Sequence, residues 1–174
     1  MPVQRLNHAV LYVRDVERSV AFYTDLLSFR TVFRLHADGG KVPEGAFLQA
    51  EESTNDHDLA FLQIEGPASP QSPGRRPGLA HLAWEVDTLA ELQQIRGKLL
   101  KAGALAYETD HGTTKSLYAS DPDGLEFEVC WLVPADRINE VGREAFAPFD
   151  LDAVIAQFGA DLPGGTGISA PARH

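Results

Sequence analysis

The sequence predicts an α+β chain built from two βαβββ repeats, and three observations carry that reading. The first 65 residues alternate strand-like, helix-like and again strand-like patterns. The stretch 66–78 (GPASPQSPGRRPG) interrupts them as a linker rich in Pro, Ser and Gly, and the same order then restarts. The two starts also align. LNHAVLYVRDVERSVAFY (6–23) and LAHLAWEVDTLAELQQIR (79–96) each read as a strand with histidine third, then an aspartate, then an amphipathic helix.

In order, residues 3–13 form the first predicted strand, with Leu6, His8, Val10 and Tyr12 on one face. Asp15 offers an N-cap, and Val16, Val20, Phe22, Tyr23, Leu26 and Leu27 give a helical stripe ending near Ser28. Strands are expected at 29–35, 45–50 and 57–65, separated by Asp38-Gly39-Gly40 and by 51–56. In the second repeat, 79–86 reads as a strand. Asp87 or Thr88 caps a helix through Leu89, Leu92, Ile95, Leu99 and Leu100 to a stop at Gly103. Further strands lie near 105–108, 116–120 and 125–132, the last two joined by the turn Asp121-Pro122-Asp123-Gly124. In the final strand Leu125, Phe127, Val129 and Trp131 share one face, and Glu126, Glu128 and Cys130 the other. The predicted domain spans 1–133, as repeats 3–65 and 79–133. An extension, 134–174, follows, with short helices at 135–146 and 150–158 and a disordered end from 164. It could cover a sheet edge, shield a pocket or serve an oligomer contact.

Composition narrows the function. The chain has 174 residues, 44% hydrophobic and 23% charged, as in a globular protein with a sizeable core. A net charge of −10 argues against nucleic-acid or anionic-membrane partners. The single cysteine, Cys130, excludes an internal disulfide and a cysteine-based zinc site and fits a reducing compartment. No apolar run of spanning length occurs, and Met1-Pro2-Val3-Gln4-Arg5 does not open a signal peptide, so a cytoplasmic location is expected.

The chemistry starts from Glu128, a carboxylate in mid-strand that is costly if buried without a partner. A solvated edge strand would explain it. So would a cation, and His8 and His81 stand at matching places in the two repeats. A lone histidine is more often a core or surface residue than a ligand. Were the halves related by a pseudo-two-fold, however, both imidazoles and Glu128 could share one concavity. Two His and one carboxylate suit non-haem Fe(II) with positions left open; Zn, Ni or Mn could use the same ligands.

LNHAVLYVRDVERSVAFYTDLLSF, GLAHLAWEV and SDPDGLEFEV resemble the vicinal oxygen chelate superfamily of glyoxalase I, bleomycin-resistance proteins and extradiol dioxygenases, over about residues 4–133. The resemblance implies paired βαβββ units in one open, curled mixed sheet around a metal site, with His8, His81 and Glu128 at the ligand positions. Ser28 departs from the pattern, since a Gly usually ends that helix. Within the superfamily the chain resembles the catalytic module of type I extradiol dioxygenases. HDLAF (57–61) is similar to the strand bearing that family's oxygen-side histidine, here His57, and DHG (110–112) to the loop of its acid–base histidine, here His111. Tyr118, ten residues before Glu128, matches the active-site tyrosine.

The linker after HDLAF is longer than in that family, the stretch from His111 to Tyr118 is shorter, and one metal module stands where many members carry two. The resemblance thus implies Fe(II), a small aromatic diol and O2 as substrates, and a homodimer. A glyoxalase-like lyase or isomerase using Ni or Zn is the first alternative, although Leu59-Ala60-Phe61-Leu62 offers no fourth ligand and Asp58 and Glu65 stand only near the ends of that strand. A non-catalytic module that sequesters a drug or metabolite is the second. Phe61 and Trp84 read as apolar wall or core. Glu126 shares a face with Glu128 but matches no ligand position, Arg75 and Arg76 read as solvated, Cys130 as a small buried hydrophobe, and His36 and His174 have no assigned partner.

Overall fold

The computed structural model describes residues 6–39, 42–66, 78–141 and 149–165. The chain divides into two compact units, residues 1–73 with Asp121–Leu125, and residues 74–120 with 126–174.

The first unit runs β1 (Ala9–Val13), α1 (Val16–Leu27), β2 (Arg30–Leu35), β3 (Gly45–Gln49), β4 (Leu59–Gln63), in sheet order β1-β4-β3-β2. β1 pairs parallel to β4, while β3 runs antiparallel to both its neighbours. The second unit repeats the plan with β5 (Leu82–Glu85), α2 (Leu89–Ala102), β6 (Leu105–Asp110), β7 (Thr114–Ser120) and β8 (Glu126–Leu132), in order β5-β8-β7-β6. β5 is parallel to β8 and the rest antiparallel. These are two open βαβββ modules of α+β class. Of the linker 66–78, residues 67–77 lie outside the described residues.

Local chemistry sets the helix ends. Asp15, in extended backbone, accepts the Arg18 N–H at 3.0 Å and starts α1. Ser28 ends that helix in the left-handed region at φ 59°. Thr88 and Glu91 form a full capping box on α2, which stops at Gly103 with φ 66°. Between α1 and the first sheet lie the buried Val13, Val16, Val20, Tyr23, Leu48, Leu59 and Phe61, with the Tyr23 and Phe61 rings 5.2 Å apart. α2 and β7–β8 bury Leu89, Leu92, Leu99, Leu117, Phe127, Val129 and Trp131. Each buried Val, Leu or Phe among them contributes about 1.5–3 kcal/mol. Phe61 is therefore core rather than pocket wall, and Trp84 lies on the helix-facing side of β5, across from Val129.

Both strands that open a repeat are shorter than the periodicity suggests. His8 precedes β1 and His81 precedes β5, because the ladders begin only at Ala9 and Leu82. The turn joining β7 to β8 belongs to the first unit. Asp121 accepts the backbone N–H groups of Asp123 and Leu125, Tyr23 donates to Asp121 at 3.4 Å, and Arg14 Nε binds Asp123 at 2.5 Å.

The extension packs on the helix side of the second sheet. A 3-10 helix covers Ala135–Glu140, residues 142–148 lie outside the described residues, and α3 spans Leu151–Phe158 with Asp150 as N-cap. Phe158 packs at a tilt against Trp131, ring centroids 5.4 Å apart, with the Arg137 guanidinium 4.7 Å above the Phe158 ring. The Trp131 indole donates to the Leu162 carbonyl at 3.3 Å. The segment expected to be disordered from 164 is anchored at its first two residues. Gly164 N–H donates to Asp87 O and Gly165 N–H to Leu132 O. A Cβ on Gly164 would meet Trp131 Nε1 at 2.6 Å, so glycine is required there. Residues 166–174 lie outside the described residues.

Candidate active site

Strand pleating sorts the second sheet into two faces. Ladder partners share a face, so Glu128 sits with Tyr118 across β7 and with Ala83 across β5, and Tyr107 pairs with Tyr118 across β6. Two residues along each strand, Glu126, Cys130 and Ser116 join the same face. His81 reaches it from just before β5. This face, opposite α2, is polar.

His81 Nε2 lies 3.1 Å from Glu128 Oε2, and its Nδ1 lies 3.9 Å from Glu126 Oε1. Glu128 is 7% exposed, and its other oxygen accepts the Ser116 hydroxyl at 2.5 Å. Tyr118 meets the His81 ring edge-on at 5.5 Å and stacks on Tyr107 at 4.4 Å. Burial, with the Glu128 carboxylate beside it, pushes the Tyr118 hydroxyl above its ordinary range, so it stays protonated. Burial also raises Tyr107, whose hydroxyl donates to Glu126 at 3.3 Å. Cys130 is pushed up to about 12, chiefly by burial and then by Glu128 and Glu85, and is a neutral thiol.

His111 is brought to this face by a tight turn. Its Nε2 lies 3.1 Å from Tyr118 Oη. The Lys115 ammonium, 3% exposed, holds both Asp110 oxygens at 2.6 Å, and Asp110 accepts Gly112 N–H at 2.7 Å. His111 N–H closes the turn onto Thr114 O. The short segment between His111 and Tyr118 thus does not carry the imidazole away from the tyrosine.

In the first unit His8 and His57 lie side by side, ring centroids 4.4 Å apart, and Phe47 meets His57 edge-on at 5.0 Å. His8 Nδ1 contacts Asn7 Oδ1 at 2.8 Å and His57 Nδ1 contacts Asp56 at 3.1 Å. His57 Nε2 is buried with no hydrogen-bond partner among the described residues. Asp58 is spent on its own loop, accepting from Ala50 N–H, the Ser53 hydroxyl and the Asn55 amide.

Among the described residues no group of three or more His, Cys, Asp or Glu is arranged to hold a metal. The second unit supplies two donors. Ligands at right angles on one cation, with bonds of about 2.1 Å, lie about 3.0 Å apart. The His81–Glu128 spacing and the imidazole–carboxylate donor set fit that requirement.

Of the residues named from the sequence, His81, Glu128, Tyr118 and His111 lie together on this face. Ser116 and Tyr107, not named as site residues, join them, and Glu126, given no ligand position, faces His81. The period-2 alternation through Thr114, Ser116 and Tyr118 was the available signal for Ser116.

The profile of the Glyoxalase/Bleomycin resistance protein/Dioxygenase superfamily matches residues 5–129, and the chain belongs to that superfamily. The chain is 27% identical to a catechol-2,3-dioxygenase of Bacillus subtilis over 71% of its own length and 40% of the relative's. It is 31% identical to biphenyl-2,3-diol 1,2-dioxygenase 3 of Rhodococcus globerulus, over 72% of its length and 62% of the relative's. It thus spans less than two thirds of either dioxygenase. A lactoylglutathione lyase of Neisseria meningitidis is 28% identical over 71% of the chain and 88% of that protein. A glyoxylase/bleomycin resistance protein/dioxygenase domain from Frankia sp. EAN1pec shares the fold, with TM-score 0.61 and 23% identity over 74% of this chain and 98% of that one. Among the described residues no helix is long and apolar enough to cross a membrane.

Proposed function

We propose that the chain is an Fe(II)-dependent extradiol dioxygenase that opens the ring of a small catechol-like diol with O2, acting as a cytoplasmic homodimer. His8, His81 and Glu128 are assigned as metal ligands, His111 as the acid–base group, Tyr118 as a hydrogen-bond donor to a substrate oxygen, and His57 as the oxygen-side residue. The observation that carries the reading is the unbroken contact series Glu128–His81–Tyr118–His111 on one sheet face. When bound, the ion would favour loss of a diol proton and hold diol and oxygen together at positions left open by three protein ligands.

The residues divide the remaining work. Tyr118 is kept neutral by burial and by Glu128, so its hydroxyl retains a proton to donate. His111, whose Nε2 lies 3.1 Å from Tyr118 Oη, would take up and return the diol proton beside that hydroxyl. Glu128 and His81 together would supply an oxygen and a nitrogen donor to the metal position.

The same ligand positions could take Mn, Zn or Ni, and the match over 88% of the lactoylglutathione lyase relative favours a glyoxalase-like reading as the second choice. Against it, β4 presents Leu59, Ala60, Phe61 and Leu62, none of them a ligand, and Asp58 is already bonded. The protein loaded anaerobically with Fe(II) is expected to consume oxygen and give a yellow ring-opened product from a catechol panel that includes 2,3-dihydroxybiphenyl. Oxygen-independent turnover of a glutathione hemithioacetal, with no uptake on any diol, would overturn the dioxygenase in favour of the lyase. Neither activity would leave the sequestering module.

A further inference from the structure

We propose that Ser116 is a positioning residue that limits Glu128 to one metal-binding oxygen; the inference rests on the metal-site reading above. Ser116 is fully buried, and its hydroxyl lies 2.5 Å from Glu128 Oε1. An ionised carboxylate only accepts, so the serine donates. The strand gains nothing from this hydroxyl, since β7 is paired on both edges by its backbone and alanine would keep the same ladder.

Two consequences follow for Glu128. A carboxylate 7% exposed is costly without a donor, and Ser116 supplies a charge-assisted one. The bond also spends Oε1 and turns Oε2 toward His81 Nε2, at 3.1 Å. A glutamate free to swing could chelate through both oxygens and occupy a position the substrate needs. Pinned by Ser116, it offers one.

The test is Co(II) titration of the full chain, read by its visible absorption, for the parent, S116A and S116T. S116A is expected to bind Co(II) about 10–100-fold more weakly, as loss of an outer-shell partner costs, with an altered spectrum. S116T keeps the hydroxyl and is expected to stay within about threefold of the parent. Parent-like binding and spectrum in S116A would overturn the role, as would an S116T as weak as S116A. A parent that binds no Co(II) would instead sink the underlying metal reading. Should S116A fail to fold by circular dichroism, S116C, close to serine in volume and a poor donor, is judged by the same criterion.

Discussion

The two units share one plan and differ in what they put on the face away from their helix. On the first sheet that face carries Val10, Tyr12, Phe33, Ala60 and Leu62, with His8 and His57 just outside β1 and β4. On the second, the equivalent face carries Ser116, Tyr118, Glu126, Glu128 and Cys130, reached by His81 and His111. Strand order and helix placement are alike because both modules bury an apolar helix stripe on an alternating sheet. The other face is free of that demand and can hold chemistry.

The largest effects should come from the polar face. E128A and H81A are each expected to weaken metal binding by well over about 100-fold, beyond the range of outer-shell changes, and to abolish turnover. H111A should leave metal affinity intact while lowering kcat by about 10²–10⁴-fold, the ordinary worth of an acid–base group. Equal losses of affinity in H111A and H81A would erase the division of labour. If the helix-facing cores are equivalent, F61A in the first and F127A in the second should each lose about 3–5 kcal/mol in urea denaturation. A much larger loss in one would show that the modules do not share stability evenly.

Alkali probes the first unit. Burial foremost, and Asp121 beside it, raise the Tyr23 hydroxyl well above its ordinary value. The neutral form is favoured in the fold, so its contribution is complete below about pH 10, the unfolded value, and is lost as pH climbs through the raised one. Y23F should therefore show a shallower alkaline fall in stability than the parent. An equal slope would remove Tyr23 from the account. The smallest effect is at the helix ends. Ser28 and Gly103 occupy the same left-handed position, at φ 59° and 66°. S28G should gain about 0.5–1 kcal/mol and G103S lose a similar amount.

Much of this was legible in the chain. Asp15, Thr88 and Gly103 announce helix ends, and the alternation of Phe127, Val129 and Trp131 against Glu126 and Glu128 separates a buried face from a polar one. The placing of His111 beside Tyr118 was not legible, because the buried Lys115–Asp110 pair that folds the short segment between them into a tight turn has no local signature.

Sequence by itself determined the repeated βαβββ order and the residue types offered to a cation, since period and capping act over a few neighbours. Tertiary structure alone decided that Ser116 meets one oxygen of Glu128, that Glu126 faces His81 and that the extension seats Phe158 on Trp131. Those contacts depend on strand register and on packing between segments far apart in the chain, and no local pattern encodes either.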